Sequence, residues 1–279
     1  MTTFLEKLDE ASRRNQSLLC VGLDPDPALM PVEDVAQFNR AIVEATADLV
    51  CAYKPNLAFY EALGAPGLGA LRQTLQHIPP SIPVIGDAKR GDIGNTAQAY
   101  ARALFEVWGF DAATVNPYLG RDAVEPFLEY ADRGVLILCR TSNAGARDFQ
   151  EAVVVPDTGT VGMGRQLFLE VALRASQWNR ASNVGLVVGA TSPQEQLTLI
   201  RKLCPEMPIL IPGVGAQGGD LEAAVRHGTD RWGRRAIINA SRQVLYASRG
   251  PDFAQAARAA AQGLRDEINR VLEEEGKGW

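Results

Sequence analysis

Eight short apolar, β-branched runs recur along the chain at a nearly regular interval, and a segment of helical hydrophobic period follows each of them. The runs are Leu18–Leu23, Val50–Leu57, Ile82–Ile85, Ala112–Val115, Gly134–Cys139, Val184–Val188, Met207–Ile211 and Ala236–Ile238. Between and after them lie Val32–Asp48, Tyr60–His77, Asn95–Trp108, Asp122–Arg133, Gly164–Arg180, Pro193–Leu203, Asp220–His227 and Asp252–Glu275. The runs read as continuous hydrophobic stretches rather than alternating ones, the pattern of strands buried on both faces of a parallel sheet. Eight strands alternating with eight helices predict an α/β fold of the (β/α)8 TIM-barrel class. A doubly wound open sheet shares the alternation but usually has fewer strands.

With 279 residues, 46% hydrophobic and 22% charged, the chain can bury a large core and is not a disordered polymer. No compositional break or repeat divides it, so residues 1–279 are expected to form a single barrel domain. The connection from Thr141 to Val161 is long and carries Asn143, Gly145 and Gly159, which suggests an active-site lid or a surface insertion. Lysines and arginines total 28 against 33 aspartates and glutamates, a net charge of −5 that argues against a nucleic-acid or anionic-membrane surface. No segment reaches the ~20 uncharged apolar residues of a membrane helix, and a cytoplasmic protein is expected. The four cysteines, Cys20, Cys51, Cys139 and Cys204, form no C-x-x-C pair, and three of them lie in apolar runs, as buried thiols do. Only two histidines exist, His77 and His227, and neither sits beside another ligand type, so a zinc site or histidine triad is not expected.

In a barrel of this kind the active site is built at the carboxyl ends of the strands. The residues that follow the runs are rich in chemistry: Asp24, Lys54 with Asn56, Asp87-Ala88-Lys89-Arg90-Gly91-Asp92, Asn116, Arg140-Thr141-Ser142-Asn143 and Asn239-Ala240-Ser241-Arg242. Asp87 and Lys89 are two apart on an extended strand end, so both are expected to face the barrel mouth, with Lys54 in reach from the neighbouring strand. A Lys, Asp, Lys, Asp array keeps each member ionised by opposite charge. A structural ion-pair network would look similar. Two lysines without histidine or metal suit a reaction that develops negative charge on carbon and then delivers a proton. An aspartate beside an anionic substrate group would favour expelling that group as neutral CO2, since like charges ~4 Å apart cost on the order of 4 kcal/mol at an effective dielectric of 20.

Gly213-Val214-Gly215-Ala216-Gln217-Gly218 fits G-x-G-x-x-G, a weak dinucleotide signal when it stands alone. It follows the seventh run rather than opening a βαβ half, and barrels bind a phosphate with the loops after strands 7 and 8. It therefore reads as a monophosphate loop: Gly213 and Gly215 admit the backbone, Gln217 donates, and Arg242 grips the phosphate. The cluster of Arg231, Arg234 and Arg235 reads as a solvated face.

The motifs Asp87-x-Lys89-x-x-Asp92-Ile93-Gly94-Asn95-Thr96 and Pro212-Gly213-Val214-Gly215-Ala216-Gln217-Gly218-Gly219-Asp220 stand alongside Val21-Gly22-Leu23-Asp24-Pro25 and Tyr53-Lys54-Pro55-Asn56. Through them the chain closely resembles the orotidine 5′-phosphate decarboxylase family, in its bacterial branch of longer chains. The resemblance spans the whole barrel. It implies decarboxylation of orotidine 5′-phosphate to UMP, the last step of de novo pyrimidine synthesis, with no cofactor and no metal. It further implies that Lys89 stabilises and protonates the C6 carbanion, that Asp87 lies beside the departing carboxylate, and that Lys54 pairs with the aspartates and the ribose. The resemblance implies a homodimer in which Asp92 and Thr96 serve the neighbouring subunit's site, with Asp24 on the ribose, Ser142 on the pyrimidine, and Gln217 and Arg242 on the phosphate. Asn116 remains a candidate without a matched role. The commoner branch has proline where Gly94 stands and Gly-Arg where Ser241-Arg242 stands. Two other readings stay open: a metal-dependent sugar-phosphate decarboxylase or aldolase on the same barrel, and a non-catalytic UMP-binding barrel.

Overall fold

A computed structural model describes residues 2–155, 164–215 and 219–279. Ten strands lie among them: β1 (Leu19–Leu23), β2 (Ala52–Pro55), β3 (Ile85–Arg90), β4 (Ala112–Val115), β5 (Gly134–Arg140), β6 (Val153–Val154), β7 (Arg165–Gln166), β8 (Val184–Val188), β9 (Ile209–Pro212) and β10 (Ala236–Ala240). The α-helices are α1 (Phe4–Asn15), α2 (Val35–Thr46), α3 (Leu57–Glu61), α4 (Gly64–His77), α5 (Gly94–Arg102), α6 (Arg121–Leu128), α7 (Leu167–Trp178), α8 (Gln194–Leu203), α9 (Leu221–Gly228), α10 (Arg242–Leu245) and α11 (Phe253–Glu274). Eight parallel strands form one sheet in the order β2-β1-β10-β9-β8-β5-β4-β3, and the parallel bridges Tyr53–Val84 and Asn56–Asp87 draw its two edges together. The expected TIM barrel is thus present.

Side chains alternate across each strand, which is what makes the two-sided burial possible. One residue from each barrel strand, Cys20, Ala52, Ile85, Ala112, Leu136, Val187, Leu210 and Ile237, joins Phe4, Leu8 and Cys51 in a single apolar cluster. Their neighbours on the strands, such as Leu19, Val21, Val135, Ile137, Ile209 and Ile238, belong to the larger core that includes Phe38, Leu71, Phe127 and Ile268 of the helices. Helix α1, which no strand–helix count requires, adds Phe4 and Leu8 to the inner cluster. A Thr3–Glu6 capping box begins this helix.

Several boundaries differ from the hydrophobic pattern. The third strand starts at Ile85 and runs through the charged residues to Arg90, rather than ending where the apolar run ends. The Tyr60–His77 segment is two helices, because Asn56 caps α3 and Gly64, at φ +66°, turns the chain as α4 begins. A short antiparallel pair, β6 with β7, precedes α7. Of the expected lid at 141–161, residues 156–161 lie outside the described residues. Arg234 and Arg235 are only partly exposed: the Arg234 guanidinium lies 3.7 Å from the Trp279 ring centroid and Arg235 pairs with Asp9 at 3.0 Å. Their neighbour Arg231 is exposed, as expected. All four cysteines are free and buried. Burial raises every one of these thiols, Cys51 up to about 12.

Candidate active site

A cavity of about 700 Å³ is lined by strand ends and the segments that follow them, the size of site that takes a small ligand. Its apolar lining includes Leu138, Val187 and Leu210, and Lys54, Asp87 and Lys89 contribute the charge. The position of these charges follows from the period of two. Counting two residues along from the inner apolar cluster, Ala52 leads to Lys54, Ile85 to Asp87, Ala112 to Thr114 and Ile237 to Asn239.

Asp87 sits at the centre. One carboxylate oxygen accepts from Lys54 Nζ at 2.8 Å, and the other accepts from Lys89 Nζ at 2.5 Å and from the Thr114 hydroxyl at 2.9 Å. Burial by itself would raise the Asp87 pKa, but the two lysines outweigh it and hold the carboxyl well below the usual range. Burial likewise pulls Lys54 down, and the facing Asp87 with Asp24 reverses the sign and keeps this ammonium charged above its ordinary value. Lys54 is 3% exposed, whereas the Lys89 side chain is 48% exposed. Lys54 is therefore a fixed buried charge and Lys89 the ammonium presented to the mouth.

The expected strand geometry at Asp87 and Lys89 needs correction. The two side chains do meet, but not on a regular extended end: the pairing with β4 shifts between Gly86 and Arg90, and Lys89 has φ +49°. Asp92 and Thr96 lie beyond this strand, and neither lines the cavity of its own chain. The Asp92 carboxylate accepts from the Ile93 amide at 2.8 Å. Asn116 also stands off the cavity, and its side-chain oxygen accepts from Tyr118 N at 3.0 Å in a local turn.

The remaining expected residues surround the cavity. Asp24 lines it at the end of β1, and its Oδ1 is buried without a hydrogen-bond partner among the described residues. The Tyr246 hydroxyl donates to the Asp24 carbonyl at 3.0 Å and accepts from Asp26 N at 2.6 Å, while Tyr60 donates to the Leu23 carbonyl at 2.9 Å. Ser142 lines the cavity after β5. The loop that carries it is fastened by Arg140, which is 6% exposed, pairs with Glu151 at 2.7 Å and donates to the Thr141 carbonyl at 2.7 Å. Gly213 (φ +94°) lines the cavity, whereas Gly215 (φ +73°) does not. A Cβ at Gly215 would lie 1.9 Å from Gln243 Oε1. Arg242, exposed at the start of α10, lines the same cavity. Gln217 lies outside the described residues.

Thr114, Tyr246 and Tyr60 do not stand out in the sequence, whereas Asn239 is among the polar residues that follow the eighth apolar run. Asn239 carries a usable signal, as a polar side chain directly after a buried apolar run, whereas Thr114 reads as an ordinary β-branched strand residue. The tyrosines carry none, because a buried tyrosine whose hydroxyl holds a distant carbonyl reads as core. Asn239 is 5% exposed, lines the cavity, and has a buried Oδ1 without a partner among the described residues. Among the described residues no group of three or more His, Cys, Asp or Glu side chains is placed to hold a metal ion. No helix among them is long and apolar enough to cross a membrane.

Comparisons with known proteins give the family. The family model described as "Orotidine 5'-phosphate decarboxylase / HUMPS family" matches residues 17–260. A curated relative from Dehalococcoides mccartyi (strain ATCC BAA-2266 / KCTC 15142 / 195), named orotidine 5'-phosphate decarboxylase, is 57% identical over 267 residues, 95% of this chain and 97% of its own. One of the same name from Thermomicrobium roseum is 54% identical over 279 residues, 98% of this chain and 97% of its own. The solved structure of Leishmania donovani OMP decarboxylase superposes with a TM-score of 0.83 at 39% identity, covering 97% of this chain and 98% of that one. A barrel whose third strand ends in a lysine-bracketed aspartate, matched over nearly its whole length by these relatives, belongs to the orotidine 5'-phosphate decarboxylase / HUMPS family.

Proposed function

We propose that this chain converts orotidine 5′-phosphate to UMP and CO2 by direct decarboxylation at C6, with Lys89 as the acid. The observation that carries the reading is Asp87, buried and ionised between Lys54 and Lys89 at 2.8 and 2.5 Å on the wall of the ligand-sized cavity. A substrate carboxylate placed against Asp87 meets a like charge that cannot readily take up a proton. Breaking the C6–carboxyl bond removes that repulsion, because CO2 leaves neutral and the electron pair stays on C6. The Lys89 ammonium faces this carbanion, stabilises it, and transfers one proton to it, forming the C6–H bond of UMP. Lys54 keeps Asp87 charged throughout. The buried acceptors Asp24 Oδ1 and Asn239 Oδ1 suit ribose hydroxyl donors, and Ser142 suits the pyrimidine edge.

The phosphate is assigned to the segment after β9, through Gly213 and Gln217, and to Arg242, with Gly215 shaping the turn of that segment off the cavity. Arg242→Ala is expected to weaken UMP binding by about 2–5 kcal/mol, the usual loss on truncating one side of a charge pair. Calorimetric titration of the variant with UMP checks it, and an unchanged affinity would remove Arg242 from the phosphate site.

The same reading makes the chain a homodimer in the cytoplasm, with Asp92 and Thr96 of each subunit completing the partner's site. Exposed apolar residues after β3, β4 and β5 support a covered mouth: Ile93 is 58%, Tyr118 76%, Leu119 50% and Phe149 62% exposed. On this reading residues 1–279 are one barrel domain and 141–161 is its lid segment, of which 156–161 lie outside the described residues.

The test is CO2 and UMP release from orotidine 5′-phosphate in excess chelator. Rapid turnover is expected. Activity seen only on a sugar phosphate with added magnesium would move the chain to the metal-dependent decarboxylases or aldolases. UMP binding without turnover would make it a nucleotide-binding barrel.

A further inference from the structure

The irregular end of β3 has a single keystone. Gly86 pairs with Ala113 and Arg90 pairs with Val115, so Asp87, Ala88 and Lys89 together stand opposite Thr114 alone. A bulge of this kind leaves backbone N–H groups without a ladder carbonyl, and buried donors must find another acceptor. Here the acceptor is a side chain: Thr114 Oγ1 accepts from Ala88 N at 3.0 Å and from Lys89 N at 2.9 Å. Thr114 is 1% exposed, so water cannot substitute for it.

The hydroxyl has two lone pairs and one proton. With both lone pairs engaged by amides, its proton goes to Asp87 Oδ1 at 2.9 Å, the oxygen that also receives Lys89 Nζ. One atom thereby ties together the backbone of Lys89, in a left-handed conformation that a lysine seldom adopts, and the carboxylate that this lysine faces.

We propose that Thr114 is a positioning residue for the decarboxylation: its hydroxyl holds the β3 bulge and the Asp87 carboxylate in the one arrangement that presents the Lys89 ammonium to C6. This rests on the decarboxylase reading above. Thr114 does not line the cavity, so its effect falls on the reacting groups rather than on ligand affinity.

Valine and serine separate this role from packing. Thr114→Val keeps the shape but strands the Ala88 and Lys89 amides and removes the bond to Asp87. Its kcat is expected to fall about 10- to 100-fold, the scale of a lost hydrogen bond to a charged group. KM and UMP affinity are expected to stay within about threefold, because the lost interaction matters only at the reacting centre. Thr114→Ser keeps the hydroxyl and loses only a methyl, and its kcat is expected to remain within about threefold of the parent. The proposal is overturned if the valine variant turns over like the parent, if serine loses as much as valine, or if the loss falls on KM and UMP affinity instead. Should valine prevent folding, Thr114→Ala decides the matter: alanine must lose kcat where serine keeps it, and equal rates for the two overturn the proposal. Failure of the decarboxylase reading is seen first and separately, as a parent chain without turnover.

Discussion

Lys89→Ala is expected to abolish decarboxylation for practical purposes while leaving the fold and UMP binding in place. Under the proposed mechanism the variant loses two contributions at once: stabilisation of the charge that develops on C6, and delivery of the proton that quenches it. Each is worth about two to four orders of magnitude in comparable enzymes, so kcat is expected to drop by roughly four orders or more. Stability is expected to change little, because the Lys89 side chain is 48% exposed and Asp87 keeps Lys54 as its buried partner. Single-turnover assays with a coupled CO2 readout, alongside UMP titration and thermal unfolding, check all three statements. Turnover close to that of the parent would discard the lysine mechanism. A collapse of UMP affinity in step with the rate would recast Lys89 as a binding group.

Mixing inactive subunits is expected to restore activity. Asp92 does not line the cavity of its own chain, and exposed Thr96 stands with it beyond β3. If each site takes Lys89 from one subunit and Asp92 from the other, a heterodimer of Lys89→Ala with Asp92→Ala contains one intact site and one doubly altered site. Random reassortment of equal amounts makes half of the dimers hybrid, so the mixture recovers about a quarter of the parental activity from two nearly inactive stocks. Differently tagged subunits, purified as verified heterodimers, make the measurement clean. No recovery there would return Asp92 to its own barrel or remove it from catalysis.

Both expectations rest on charges that are legible in the amino-acid sequence. Asp87, Lys89 and Lys54 were legible because strongly charged residues directly after, or within, buried apolar runs have few physical justifications other than a site. Thr114 was not legible in the same way. On an apolar strand a threonine is an ordinary β-branched core residue, and only the register of β3 against β4 shows that it faces three residues at once. The bounds of β3 differ from its apolar run for a related reason: hydrophobicity ends at Ile85, while the strand continues through the charged segment to Arg90.

The order of apolar runs and helical segments determined the barrel, because eight two-sided strands with amphipathic crossovers have few other ways to bury themselves. It also determined which end of the barrel would be charged. Tertiary structure decided what those charges do. Nearness of Lys54 to Asp87 depends on β2 and β3 closing the sheet through the Asn56–Asp87 bridge. The convergence of Asp87 and Lys89 depends on a bulge that a hydroxyl from another strand satisfies. These are contacts between residues far apart in the chain, set by strand register and side-chain packing. A local pattern of hydrophobicity specifies the faces of an element but not the partner that each face will meet.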